Sequence, residues 1–472
     1  MEKLEVMRNP TPNPSPSHGE GGKEGGKEGG NAGGNAGGKK EEFSISHNRS
    51  PIANPPFSLE LAHELLRTYG SPLYVYQGDY LRQTIQHITQ AIPYPRTQFR
   101  FASVTNGNIA LLQIFRELGW GLHANTPGDI YLGLQAGFSA DRIVYSGSNL
   151  NRFEMEQVLH WGIRTLNLDS LAQLQLCGDI YIYMQKLLSS STLRLGLRLN
   201  EPELTGESRI GVRPAELEAA VAIARNAGLK LGGLHFYRGT GTNATKAFTQ
   251  VIDDVISIAQ QLPDWEYLDF GGGFGYPYRH GGAAFDWELF GAELTERLSN
   301  LERKIDLVIE PGRSAIAGCA TLLAEVVSVK WQGEKQIVGV DTTVANLSVP
   351  SVHGGYREIV SCQDNAEKSP HPRPRPVLQG GEKERQKFVT DVCGNTTYSR
   401  DYLGKNCLLP ALEMGDILAI LDVGAYGFAM SSHFLHRPKP AEVLLENDKH
   451  RLIRKREDYS VLLTNQVFDV RE

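Results

Sequence analysis

From Phe99 to Glu310 the chain alternates short apolar runs with longer amphipathic stretches, eight times over. The runs Phe99–Val104, Gly121–Ala124, Arg142–Ser146, Thr165–Leu168, Leu193–Leu199, Gly233–Phe236, Tyr267–Phe270 and Leu307–Glu310 read as strands. Helices are expected between them. Ala110–Leu118 spaces its apolar residues at a helical period, and the alanine-rich Ala215–Ala227 follows Pro214, a favourable helix opening. Eight such units in about 220 residues match a (β/α)8 barrel in number and length. An open doubly wound sheet is the rival. The regularity of the units, and the concentration of glycine and charge just after the strands, favour the barrel, placed at residues 91–318.

The alternation stops after about Cys319. Leu322–Val329, Lys335–Val340, Lys387–Val392, Ile417–Leu421, Glu442–Leu445 and Leu452–Lys455 read as strands of a mostly antiparallel β-domain over 319–472. Gln363–Arg385 within it, rich in proline and charge, is expected to be an exposed loop. Residues 57–90 are expected to supply a lead-in strand and linker. Residues 1–56, built of proline-rich and Gly-Gly-Lys-Glu units, carry too little apolar surface to offset their ordering entropy and are expected to form a flexible tail.

Bulk properties exclude several classes of function. The formal net charge of −6 gives no reason to expect nucleic-acid binding. No apolar run reaches the length of a membrane span, and the first residues lack a charged-then-apolar signal pattern, so the expectation is a cytoplasmic protein. The five cysteines are odd in number, scattered and free of Cys-x-x-Cys spacing, which fits free thiols rather than zinc or disulfides.

Two segments carry chemistry. Asp269–Gly275 follows the seventh strand, and its glycines Gly271, Gly272 and Gly273 let the backbone approach an anion and present amides to it. Tight turns also use such runs, but the loops after strands seven and eight of a barrel are a frequent phosphate site. Glu310-Pro311-Gly312-Arg313 ends the eighth strand. Its Arg313 can hold a phosphate, and Glu310 can face a cationic ring nitrogen. A tight turn with a surface salt bridge is the plainer reading of the second segment.

With these segments on one barrel face, the chain resembles the fold-type III pyridoxal phosphate (PLP) decarboxylases that act on diaminopimelate, ornithine and arginine, the diaminopimelate group most of all. The resemblance runs from Gly70-Ser71-Pro72-Leu73-Tyr74-Val75-Tyr76 through Gly271–Gly275 and Glu310–Arg313 to Gly424–Ser432 and Arg437–Leu444. It implies an alanine-racemase-like barrel with a C-terminal β-domain, a homodimer with active sites at its interface, and an amino acid or amine as ligand. It also implies that Gly272, Gly273, Gly312, Arg313, Thr240 and Tyr426 contact the cofactor phosphate, that Glu310 holds the ring nitrogen, and that Tyr237 stacks on the ring where many relatives have histidine.

The departures from the family pattern lie on the reactive side. In Phe101-Ala102-Ser103-Val104-Thr105-Asn106, Val104 stands where the family has its Schiff-base lysine. His123 stands near the place of an acidic neighbour of that lysine. Thr397 stands for a reactive cysteine that reaches across the dimer interface, and Tyr398 for a glutamate that recognises a distal amine. Val349 stands for an arginine that binds substrate carboxylate, and His353 for a tyrosine. His123 and His353 are candidates for new polar roles, although a structural histidine is the plainer reading of each. Cys393, four residues upstream, replaces the cysteine only if its loop shifts; an ordinary β-domain thiol is the plainer reading. The expectation is a homologue that keeps the PLP-shaped site and binds the cofactor noncovalently. The alternatives are a lyase in which the substrate amine condenses directly with bound PLP, and a non-catalytic scaffold or partner subunit.

Overall fold

The computed structural model describes residues 56–185, 193–239, 241–279, 281–365 and 386–467. The expected N-terminal tail up to residue 55, residues 366–385 of the proline-rich loop, and Thr240 lie outside them. The eight apolar runs form eight parallel strands that close on themselves. After β1 (Leu73–Gln77) these are β2 (Thr97–Ala102), β3 (Gly121–Ala124), β4 (Ile143–Tyr145), β5 (Thr165–Leu168), β6 (Arg194–Arg198), β7 (Leu231–His235), β8 (Tyr267–Asp269) and β9 (Asp306–Ile309). Closure is the pairing of β2 with β9, Thr97 opposite Leu307 and Phe99 opposite Ile309. That pairing removes the open doubly wound alternative and leaves no free barrel edge.

The helices between the strands start where the sequence can cap them. Thr126 and Asp129, and Asn151 and Glu154, form reciprocal capping boxes. The barrel interior is packed and polar. Tyr267 lies across it, its hydroxyl donating to Asn167 Oδ1 at 2.8 Å, and Asn167 donates to Asp269 Oδ2 at 2.8 Å. Gly233 makes room for that ring, since a Cβ there would sit 1.9 Å from Tyr267 Cζ. This plug lies beneath the strand ends that carry the site.

Beyond the barrel, β10 (Ala320–Gln332), β11 (Lys335–Val340), β12 (Ile359–Ser361), β13 (Lys387–Cys393), β14 (Tyr402–Pro410), β15 (Ile417–Ile420), β16 (Ala441–Glu446) and β17 (Lys449–Arg454) join β1 in a second sheet. Most of its pairings are antiparallel, as expected, but β1 pairs parallel with β16 and β11 with β13, so the sheet is mixed. Sequence reading misses β12 and β14. The second has no clean alternation, because Gly404, Lys405 and Asn406 interrupt it and Asn406 has a positive φ of 54°.

A buried polar network ties this sheet to the first barrel turn. Glu442 accepts from Tyr76 at 2.6 Å and from Asn108 at 2.8 Å, while Asn106 donates to Tyr76 Oη at 3.0 Å and to the Gly424 carbonyl at 3.1 Å. Through it the segment around Tyr426 is held over the barrel mouth. No helix among the described residues is long and apolar enough to cross a membrane.

Candidate functional site

A cavity of about 280 Å³ opens at the C-terminal ends of the barrel strands. Its floor is a cluster of ionisable groups with almost no access to water. Glu310, 2% exposed, follows β9. His235 Nε2 lies 3.3 Å from Glu310 Oε2, and His123 Nε2 lies 3.5 Å from the same oxygen. Asp269, fully buried, brings an oxygen within 4.8 Å of ligand atoms of both His235 and Glu310.

Burial sets the protonation of this floor. It pushes the His123 imidazole down to about 3, helped by the neighbouring His235 and Arg198, and His235 down to about 4. Both rings are therefore neutral near pH 7. Burial raises Glu310 to about 7, against the lowering effect of a side-chain hydrogen bond with Asp269 and of the Arg198 and Arg100 charges. It raises Asp269 well above the usual carboxylate range, with Glu310 adding to the rise. Two carboxyl groups so close in a dry site cannot both ionise freely, so the pair retains a proton. Glu310 Oε1 has no hydrogen-bond partner and belongs to a residue that lines the cavity. An unpaired buried carboxylate oxygen costs roughly 1–3 kcal/mol, which a donor placed in the cavity would recover.

One wall is backbone. Gly273 has φ +95°, and a Cβ there would lie 2.4 Å from the Gly239 carbonyl oxygen; at Gly272 it would lie 2.7 Å from the Glu310 carbonyl oxygen. This loop is pinned from behind by Phe274, 2% exposed, whose ring sits 4.6 Å from Trp287 and 5.0 Å from Phe248. Arg313 closes the same wall, its guanidinium 5.5 Å from the Tyr426 ring centroid. Tyr426 reaches the cavity from the β-domain, held by its backbone N–H donating to the Thr105 carbonyl at 2.9 Å. Glycine backbone, arginine and tyrosine together make an anion cradle. Tyr237 supplies an aromatic face backed by Arg198, 4.8 Å from its centroid.

The adjoining wall is the turn Ser103–Thr105 after β2, where Val104 is 41% exposed and lines the cavity. No lysine is among the described residues that line the cavity. The structure thus brings together Val104, His123, Tyr237, Gly272, Gly273, Glu310, Gly312, Arg313 and Tyr426. It does not bring Thr397 or His353 to them: both are exposed and neither lines the cavity.

Sequence reading gave no role to Arg198, His235 or Asn125, all of which line the cavity. Arg198 and His235 are the last residues of β6 and β7, and Asn125 directly follows β3. The usable signal was positional. In a barrel the residue at or just past each strand's C-terminal end faces the site, whatever its local motif.

Residues 79–317 match the family model described as pyridoxal-dependent decarboxylase, pyridoxal binding domain. The diaminopimelate decarboxylase of Methanothermobacter thermautotrophicus is 32% identical over 428 residues, covering 86% of this chain and 94% of the relative. That of Aquifex aeolicus is 30% identical over 418 residues, covering 85% and 92%. Among solved structures, diaminopimelate decarboxylase from Helicobacter pylori complexed with L-lysine superposes with a TM-score of 0.72 at 27% identity, covering 85% of this chain and 98% of that one.

Proposed function

The chain belongs to the pyridoxal-dependent decarboxylase family, and on that premise we propose that it binds PLP noncovalently in the barrel cavity and has lost the covalent anchoring of an ordinary diaminopimelate-type decarboxylase. The residues fit the cofactor at three points. The unpaired Glu310 Oε1 suits a protonated ring nitrogen, the Gly272–Gly273 backbone with Arg313 and Tyr426 suits a phosphate, and Tyr237 suits a ring face. The observation that carries the reading is the contrast within one cavity. Glu310 keeps a free buried oxygen while Val104, at the position the resemblance gives to the anchoring lysine, offers no amine.

Bound there, PLP supplies an electron sink for a bond broken at the carbon bearing the substrate's amine. Glu310 would hold the ring nitrogen proton, and His235 would steady Glu310 from the other oxygen at 3.3 Å. Asp269, fixed by Asn167 and the Gly271 N–H, keeps a proton close to Glu310 and so buffers its charge. His123, neutral beside Glu310, takes no charge into the site. The same reading includes a homodimer, in which the exposed Thr397, at the position the resemblance gives to a cysteine that reaches across the interface, would approach the cavity of a second copy.

Purified full-length protein tests this directly. The expected result is a PLP absorbance of the free-aldehyde type that dialysis removes and borohydride does not fix to the chain. Borohydride-fixed PLP on any lysine, or a complete lack of PLP affinity, overturns it. A second reading, slow turnover by direct condensation of a substrate amine with bound PLP, is favoured by the retained Glu310. Carbon dioxide release from a diamino acid that Glu310→Ala abolishes would establish it.

A further inference from the structure

Three donor atoms converge at one point of the cavity floor. His235 Nε2 lies 3.3 Å from Glu310 Oε2, and His123 Nε2 lies 3.5 Å from the same oxygen. Zinc binds imidazole nitrogen and carboxylate oxygen at about 2.0–2.2 Å, which sets the ligand-to-ligand edge of a tetrahedral site at roughly 3.3–3.5 Å. The floor already has that spacing. Its donors come from three separate strands: His123 lies in β3, His235 ends β7 and Glu310 follows β9. Asp269 stands beside them, with an oxygen within 4.8 Å of ligand atoms of His235 and Glu310. Its own oxygens accept from the Gly271 N–H at 3.0 Å and from Asn167 at 2.8 Å, so it adds negative charge to the floor and is held in place by other donors.

His123 separates this arrangement from an ordinary histidine–carboxylate contact. It is 7% exposed and lines the cavity, and neither of its ring nitrogens has a hydrogen-bond partner. Glu310 Oε1 and His235 Nδ1 are unpaired as well. A buried imidazole with both nitrogens unpaired is unfavourable, and an ion that takes up its lone pair removes part of that cost. His123, His235 and Glu310 all line the same cavity, which gives an ion its way in.

We propose that His123, His235 and Glu310 form a site for a divalent transition metal ion of the zinc type, with an open coordination position towards the cavity. Two imidazoles and one carboxylate favour zinc or cobalt over magnesium or calcium, which prefer oxygen donors. The ion takes the place of the proton that Glu310 and Asp269 otherwise retain, and that proton passes to solvent. Zinc and a protonated ring nitrogen are then rivals for Glu310, so binding of one excludes the other. The inference goes beyond the PLP reading and does not depend on it.

The test titrates the full-length protein, dialysed free of small ligands, with zinc, cobalt and magnesium chlorides. Elemental analysis after gel filtration reads the bound metal. About one zinc per chain is expected, with an intense four-coordinate spectrum from the cobalt form and no retained magnesium. His123→Gln and His235→Gln should each weaken zinc about 100-fold, whereas His433→Gln, in the exposed His433–Glu457 pair, should not. A six-coordinate cobalt spectrum, zinc affinity unchanged in a folded His123→Gln or His235→Gln, or an equal loss in His433→Gln overturns the proposal. If neither floor variant folds, the parent's cobalt spectrum decides, together with competition. Saturating zinc should lower PLP affinity about tenfold or more by fluorescence, and magnesium should leave it alone. PLP affinity untouched by bound zinc also overturns the proposal. Zinc uptake by a protein that never takes up PLP would sink the proposed function and leave the metal site standing. PLP uptake with no zinc binding would do the reverse.

Discussion

The floor and the rim of the barrel cavity treat ionisable groups in opposite ways. On the floor, Glu310, Asp269, His235 and His123 are packed so tightly that burial neutralises both imidazoles and forces the carboxyls to keep a proton. On the rim, the turn at Val104 is open and carries no titratable side chain. The difference separates two tasks that a covalent PLP enzyme combines. A ring nitrogen and a phosphate can be held by a rigid, dry floor and a glycine wall. Exchange of amines and delivery of protons need mobile groups at the rim, and the Ser103–Thr105 turn offers none. The floor is also the harder part to lose, since Asp269 and Asn167 connect it to the Tyr267 plug that fills the barrel.

The comparison breaks most visibly if an amine is put back. Val104→Lys places a primary amine on the cavity wall, and borohydride should then fix about one PLP per chain where the parent fixes none. Mass spectrometry of the peptide that spans residue 104 reads the result. PLP that stays fully dialysable in this variant would mean that position 104 does not face the cofactor's reactive carbon.

The next largest effect belongs to the floor. Glu310→Ala removes a charge-assisted hydrogen bond of roughly 1.5–3 kcal/mol, so PLP affinity should fall about 10- to 100-fold by fluorescence titration. Undiminished affinity would show that the ring nitrogen does not meet Glu310. Gly273→Ala should cost less, about tenfold, because its strain falls on a φ of +95° and on a Cβ 2.4 Å from the Gly239 oxygen rather than on a ligand charge. Equal affinity with a lowered melting temperature would make Gly273 a fold residue alone.

What the chain reveals before folding follows the same division. Barrel strands are covered on both faces, so they read as short apolar runs, and all eight are legible to within a few residues. Gly271–Gly273 and Glu310–Arg313 are legible because glycines beside an acid or a base are unusual after a strand. Arg198 and His235 are not, because their role depends on which way a strand's last residue points, and closure alone decides that. The clamp of Tyr278–Arg279 on Tyr356–Arg357 is illegible for a stronger reason. Two ordinary dipeptides distant in sequence stack on one another only when the β-domain docks on the barrel. Thr397 and His353 stand out in sequence, yet in the single chain they are ordinary exposed residues.

The smallest expected effect sharpens the contrast through pH. His123 has a folded pKa of about 3, depressed chiefly by burial, against roughly 6.5 for an unfolded chain. Above pH 6.5 it is neutral in both states and adds no pH dependence. As pH falls from about 6.5 towards 3, the unfolded chain takes up a proton that the folded protein refuses, so this residue destabilises the fold progressively. His123→Gln removes that contribution while keeping a polar side chain of similar size. Its denaturation midpoint should therefore fall less than the parent's between pH 7 and pH 4.5. Glu310 works in the opposite sense. Its raised pKa means that the folded protein holds the extra proton between about 4.5 and 7, so stability declines as pH rises through that window. The two trends overlap, which is why the difference between parent and variant, and not either curve alone, isolates His123. Equal losses in the two proteins would mean that water reaches this imidazole and that the floor is less dry than its burial indicates.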